Sequence, residues 1–356
     1  MHIAVAVSGG TDSLFALLQV LEAGHQVTAL HAHFLSPHDT PETTAHNTQA
    51  IEKACRALGA DFHVEDLSAA FRKHVIEPFI DAYRQGRTPN PCARCNASMK
   101  FGLLADTARK LGAQAIATGH YARLQPDLPR PGNTVSLWRG DDPAKDQSYF
   151  LSLVPQHRLA CAVFPLGGWR KQDVRAHLKQ RGIVPPLPSE SQEICFIPGD
   201  DYRAYLTAHA AGLPGAGPMV LRDGHVVGHH NGLWQYTEGQ RRGLGIAWSE
   251  PLYVLEKDVS RNALVVGTRK QLTARGCRCV GVNTLVPPDQ WPDAVYVKTR
   301  YRQTMIAAQV TPDADGADTM RVIFAASHTP PAAGQVAAVY DAAGRVLAGG
   351  IIASVF

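Results

Sequence analysis

Hydrophobic and polar positions along the first half of the chain alternate between two periods. "HIAVAV" (2–7) is a short apolar run that reads as a buried strand. "TDSLFALLQVLEAG" (11–24) carries apolar residues at helical spacing and ends on Gly24, a C-cap signal. "QVTALHAHF" (26–34) and "DFHVEDL" (61–67) read as further strands, with a helix over "TPETTAHNTQAIEKACRALGA" (40–60) between them. Pro41 falls in that helix's first turn, where its missing N–H costs nothing. "ASMKFGLLADTARKLGA" (97–113) predicts a helix and "QAIATGHY" (114–121) a strand. Strand–helix–strand repetition of this kind predicts a parallel sheet with helices on both faces.

The pattern then changes. "GWRKQDVRAHLKQRGI" (168–183) and "DYRAYLTAHAAG" (201–212) predict helices, separated by the Pro- and Ser-rich stretch 184–201, a long loop. The Gly/Pro-rich "GLPGAGP" (212–218) marks a boundary. Beyond it, "HVVGHHNG", "LYVLEKDVSRNALVVG", "AVYVKTRYRQT", "TMRVIFAA" and "GQVAAVYD" are short β-rich runs split by turn signals. They predict small barrels or sandwiches rather than more parallel sheet. The fold class is therefore α/β: an N-terminal parallel-sheet domain (1–200), a small central β-rich domain (201–268) and a C-terminal β-barrel domain (269–356).

Composition narrows the class only slightly. The 356 residues are 45% hydrophobic and 19% charged, with a net charge of +4, which is ordinary for a globular protein and only mildly suggestive of a nucleic-acid partner. The start passes from Met1 straight into a strand-like run, so no signal peptide is expected, and no window is apolar enough to span a membrane. Seven irregularly spaced cysteines do not make a secreted disulfide framework. A reducing cytoplasm is the expected compartment.

"AVSGGTDS" (Ala6, Val7, Ser8, Gly9, Gly10, Thr11, Asp12, Ser13) lies between the first strand and the first helix. Adjacent glycines, three hydroxyls and a helix N-terminus make a nest for phosphate oxygens. G-x-x-x-x-G-K-[ST] and G-x-G-x-x-G are both absent, and no lysine follows the glycines. Asp12 would repel phosphate unless a cation intervenes, so Mg²⁺ on Asp12 is expected. An ordinary Gly-rich turn capped by Thr11 is the bland alternative. The spacing S-G-G-x-D-S resembles the PP-loop of ATP pyrophosphatases (an adenine nucleotide alpha hydrolase-like fold), which release pyrophosphate and transfer AMP.

"GRTPNPCARCN" (86–96) holds Cys92 and Cys95 in C-x-x-C spacing, and Cys195 lies about a hundred residues on in "SQEICFIP". By itself C-x-x-C could be a zinc clip, a redox pair or a nucleophile. Cys277 and Cys279 could complete a zinc site, but C-x-C on a predicted strand is a poor clip, and strand residues on one face are favoured. Cys55 and Cys161 read as core fillers. His229 and His230 read as surface histidines. The arginines of "GQRRGLG" and "KTRYRQT" (Arg241, Arg242, Arg300, Arg302) are candidate phosphate contacts.

Together with "ATGHYAR", "KDQSYFL", "FPLG", "YVLEKD", "VKTRYRQ" and a closing "GGII", these blocks make the chain similar, nearly end to end, to the tRNA-specific 2-thiouridylases (MnmA/TrmU family). The resemblance implies a tRNA-uridine 2-sulfurtransferase that adenylates the wobble-uridine 2-carbonyl with ATP and then delivers sulfur, releasing AMP and pyrophosphate. It implies a persulfide on Cys195 with Cys95 as partner nucleophile, ATP contacts that extend to Ala32 and Gly119, and target-base or tRNA contacts at Asn90, Pro91, Cys92, His120, Lys145, Asp146, Gln147, Arg300, Tyr301 and Gln335. It also implies the anticodon stem-loop as partner and a cysteine desulfurase or sulfur-relay protein as donor. Many members carry Asp at the position of Cys92. With Cys here, an iron–sulfur cluster on Cys92, Cys95 and Cys195 is an alternative sulfur carrier. Arg94 and the helix after Asn96 are expected to lower the Cys95 pKa. A PP-loop ligase for a small molecule and a non-catalytic zinc-bearing RNA binder are the rival classes.

Overall fold

A computed structural model describes residues 1–35, 40–126, 134–187, 194–312 and 318–356. Residues 188–193 of the expected loop 184–201, the block before Ile194, lie outside these residues. The apolar runs become β1 (His2–Ala6), β2 (Gln26–His33), β3 (Asp61–Asp66) and β4 (Ala115–Ala117). A hairpin of β5 (Ala122–Pro126) and β6 (Val135–Arg139) follows, and the two-residue β7 (Ala162–Val163) completes the first sheet. All its pairings are parallel, in the order β3-β2-β1-β4-β7. The order reverses between β1 and β4, so a crevice opens beyond their carboxyl ends. Helix α1 (Thr11–Glu22) ends at Gly24 with a φ of 76°, and α2 (Pro41–Ala57) starts on a Thr40 capping box.

Alternation along β1 sends Ile3 and Val5 to one core and Ala4 to another. The first core lies under α1, α2 and the helix Lys171–Gln180. The second reaches past the sheet into the rest of the chain, taking in Trp234, Leu285, Val336, Tyr340 and Val346. The three parts of the chain therefore share a core.

The later strands are β8 (Gly217–Val220), β9 (Val226–His230), β10 (Tyr253–Asp258) and β11 (Ala263–Gly267), in a four-stranded sheet ordered β10-β11-β8-β9. Then β12 (Ala274–Thr284), β13 (Val295–Lys298), β14 (Ile306–Pro312), β15 (Thr319–His328), β16 (Val336–Asp341) and β17 (Val346–Val355) form a closed barrel. Closure removes the edges that six antiparallel strands would otherwise expose. As expected, Cys277 and Cys279 are strand residues on one face, both fully buried in the barrel core. Two smaller expectations are corrected. Cys161 is exposed, because it follows the short helix Gln156–Leu159 instead of lying in one. His230 is fully buried, with Nε2 on the Asn262 carbonyl and Nδ1 accepting from the Gly232 amide.

Asp146 joins the end of the β5–β6 hairpin to the barrel. Its buried carboxylate accepts from the Gly140 and Ser148 amides and from Arg139 Nε, with Lys298 Nζ at 3.7 Å. Next to it the Ser148 hydroxyl meets Tyr340 OH at 3.2 Å, and Tyr149 OH donates to the Val336 carbonyl at 3.0 Å. Asp146→Ala would leave two amides and the buried Lys298 ammonium without their acceptor. Denaturant unfolding should show a loss of about 3–5 kcal/mol in the transition that includes the barrel. An unchanged midpoint would mean that this carboxylate does not hold the seam.

Candidate functional site

The glycine-rich turn between β1 and α1 forms where the sequence places it. The Gly10 N-cap offers α1 no side-chain cap, which leaves the first-turn amides open to an anion. Ser13 Oγ accepts from the Ser8 amide at 3.1 Å and donates to the Gly10 carbonyl at 3.0 Å, closing the loop on itself. Ala6, Val7 and Ala32 lie at the ends of β1 and β2. Gly119 follows β4, and a Cβ there would stand 2.8 Å from the Asp12 backbone. Only glycine lets β4 approach α1 so closely. The sequence-predicted nucleotide residues thus share one end of the sheet.

The charge at this site differs from expectation. Lys171 Nζ lies 2.7 Å from both Asp12 carboxylate oxygens, and Tyr121 OH donates to Oδ1 at 2.8 Å. Among the described residues no three His, Cys, Asp or Glu side chains gather as a metal-holding group. Among the described residues, the cation on Asp12 is the ammonium of Lys171, 159 positions away.

The cysteine loop is pinned from three directions. The Thr88 amide donates to the Ala333 carbonyl at 2.7 Å, and Gln335 Nε2 donates to the Thr88 and Pro89 carbonyls at 3.0 Å each. Lys257 Nζ donates to Thr88 Oγ1 at 3.1 Å. Asn90 Oδ1 then accepts from the Ala93 amide and starts the helix Pro91–Cys95. The helix runs on as a wider π-helical stretch, Asn96–Leu104. Cys92 is half-buried, Cys95 is buried and Cys195 is exposed by area.

The expected activation of Cys95 is reversed. The residue sits inside a continuous helical run instead of before one, and Arg94 turns away to donate to the His74 carbonyl. Burial pushes the Cys95 thiol up to about 12, and the same cause takes Cys92 up to about 11. Cys195 is also raised, by crowding around its sulfur. The thiols feel one another: the charge of Cys195 opposes ionisation of both Cys92 and Cys95. The loop and the helix therefore come together across a hundred residues. Lys100, on the π-helical stretch, opposes all three shifts. The sequence marks Lys100 only as part of "KFG", and no local pattern shows that it faces three thiols.

Among the described residues the three thiols do not gather as a metal-holding group, which does not favour the cluster alternative. The residues expected to meet RNA lie around the same seam, and many hold internal partners. His120 is buried between Phe101 and Phe164, with Nδ1 2.7 Å from Thr118 Oγ1. Burial drives its pKa well below the ordinary value. Lys145 is half-buried, and the Gln147 Oε1 accepts from the Tyr121 amide. Arg300 donates to the Glu238 and Pro330 carbonyls, and the Tyr301 ring packs 4.4 Å from Phe150. Arg241, Arg242 and Arg302 are exposed.

Three family models match in order: a tRNA methyl transferase HUP domain over residues 1–199, a tRNA methyl transferase PRC-barrel domain over 204–268 and an aminomethyltransferase beta-barrel domain over 275–352. The tRNA-specific 2-thiouridylase of Nitratidesulfovibrio vulgaris (strain Miyazaki F) is 60% identical over 353 residues, covering 99% of each chain. Its counterpart in Lawsonia intracellularis is 48% identical, again over 99% of each chain. Among solved structures, an NMN synthetase from Francisella tularensis aligns loosely, with 13% identity and a TM-score of 0.34 over 58% of this chain and 71% of its own. No helix among the described residues is long and apolar enough to cross a membrane.

Exposure and charge give an order of thiol reactivity. Brief iodoacetamide treatment of the native protein should label Cys195 and Cys161 first, with Cys92 and Cys95 far slower, read by peptide mass spectrometry. Lys100→Met should slow Cys195 alkylation several-fold at pH 8 and move its pH profile upward, since the lysine favours the thiolate. Equal labelling of Cys95 and Cys195 would contradict the burial assignment.

Proposed function

The chain belongs to the tRNA-specific 2-thiouridylase family, and on that premise we propose how its residues carry out ATP-dependent sulfur transfer to the wobble uridine of tRNA. ATP lies with its phosphates on the Ser8–Ser13 nest. The uridine 2-carbonyl oxygen attacks the α-phosphate and pyrophosphate leaves, which turns a poor leaving group into AMP. The terminal sulfur of a Cys195 persulfide then adds to C2 and expels AMP, leaving a disulfide between Cys195 and the base. Cys95 attacks the Cys195 sulfur and releases 2-thiouridine. The resulting Cys95–Cys195 disulfide is returned to two thiols by an external dithiol reductant.

One observation supports this route above the others: Cys195 sits exposed yet within the electrostatic reach of Cys92 and Cys95. An exposed carrier can be loaded by a sulfur-donor protein, and a buried partner is kept from premature oxidation. The base must leave the anticodon stack to reach them, so the uridine is flipped into the space between the nest and the Cys195 segment. Burial of Cys95 suits a late role, after the carrier sulfur and base have replaced water around it. Cys92 accompanies this chemistry as a base neighbour.

Cys195→Ser should reduce persulfide-driven thiolation of unmodified tRNA at least about 100-fold, while ATP-dependent adenylation of the tRNA, read as AMP release, persists. Cys95→Ser should accumulate tRNA cross-linked to Cys195 through a disulfide. The assay is reconstituted with ATP, tRNA and a persulfide-loaded donor, with 2-thiouridine measured by nucleoside mass spectrometry. Thiolation that survives in Cys195→Ser would sink the assignment.

A further inference from the structure

A PP-loop has no lysine of its own, yet this one has an ammonium in contact with it. Lys171 opens the helix Lys171–Gln180, and its amide donates to Asp142 Oδ2 at 3.0 Å, which fixes where the side chain starts. The chain then crosses to the first turn of α1 and places Nζ 2.7 Å from each oxygen of Asp12. Its side chain is 9% exposed, against 34% for Asp12. The carboxylate is therefore the open member of the pair and the ammonium the embedded one.

This geometry makes the pair exchangeable in one direction. Asp12 keeps a second partner in Tyr121 OH at 2.8 Å, so it can give up the lysine without being left bare. A polyphosphate settling on the uncapped first-turn amides carries more charge than one carboxylate and offers oxygens on several sides. We propose that Lys171 is a polyphosphate-binding residue, parked on Asp12 when the nest is empty and moved to the β- and γ-phosphates of ATP when it is filled. It supplies from 159 positions away the cation that a Walker loop carries next to its glycines. The proposal rests on ATP being the ligand of the nest.

The test compares ATP and AMP binding by calorimetry in four proteins: wild type, Lys171→Met, Asp12→Asn and the double variant. Lys171→Met should weaken ATP at least about tenfold, with AMP changed less than about twofold, because AMP has no β- or γ-phosphate. The double variant removes both charges and leaves no unpaired ion, so it keeps the comparison valid even if Lys171→Met folds poorly. It should bind ATP at least about fivefold more weakly than Asp12→Asn alone. If the double variant and Asp12→Asn bind ATP equally, Lys171 serves only as a counter-ion for Asp12 and the proposal is wrong. If wild type binds no ATP at all, the nucleotide assignment of the nest falls instead.

Discussion

The site depends on where residues 87–90 are held. These four residues connect the first sheet's domain to the helix that carries Cys92 and Cys95, and one of them, Pro89, has no amide hydrogen to donate. Their backbone is fixed by the barrel, through Ala333 and the Gln335 amide, and by Lys257 of the central sheet. Gly334 completes the fit: its φ is 95°, and a Cβ there would stand 2.9 Å from the Thr88 carbonyl oxygen. A side chain at 334 would push the loop off the barrel. The thiols are thus positioned by the two domains that do not contain them.

That placement sets the electrostatics. Taking Cys92 and Cys95 out of water favours the neutral thiol, and this outweighs the helix N-terminus at Asn90, beside Cys92. Lys100 is the opposing charge, carried on the same helical run. The π-helical stretch widens each turn there and changes which face its residues present. The outcome is a set of thiols that stay protonated in the free protein while remaining close to a cation. Such thiols resist adventitious oxidation, which follows thiolate character and access.

Much of the plan was legible in the sequence because it is local. β1–β3, α1, α2 and the phosphate nest follow from apolar periodicity, Gly24, Pro41 and the S-G-G-x-D-S spacing. Other features were hidden because they are made by distance. Nothing near Lys171 or Asp12 reveals their pairing, and nothing near Gln335 says that it holds Thr88. The helical segments Ser68–Phe71 and Glu77–Arg84, joined through a π-helical turn, carry Phe71, Phe79 and Tyr83 into the shared core but show no clean cap. β14 alternates weakly, with Ala308 its one buried residue. Cys161 was misjudged for the opposite reason: its apolar neighbours pack while its own position turns outward.

The residues expected to meet tRNA show how binding is tied to the shape of the site. Arg300 bridges the central sheet and the barrel through the Glu238 and Pro330 carbonyls. Tyr301 leans on Phe150, one residue from the Tyr149 that anchors to Val336. Asp146 is spent wholly on the internal seam, and Gln335 on the cysteine loop. Side chains with such partners gain from RNA only the difference between new contacts and old ones. The exposed Arg241, Arg242 and Arg302 have no such cost and can supply the first, salt-dependent attraction. Gln335 in particular holds residues 87–90 through the Thr88 and Pro89 carbonyls. Any partner that draws Gln335 away from this loop has to replace both carbonyl contacts, and its gain is smaller by that much.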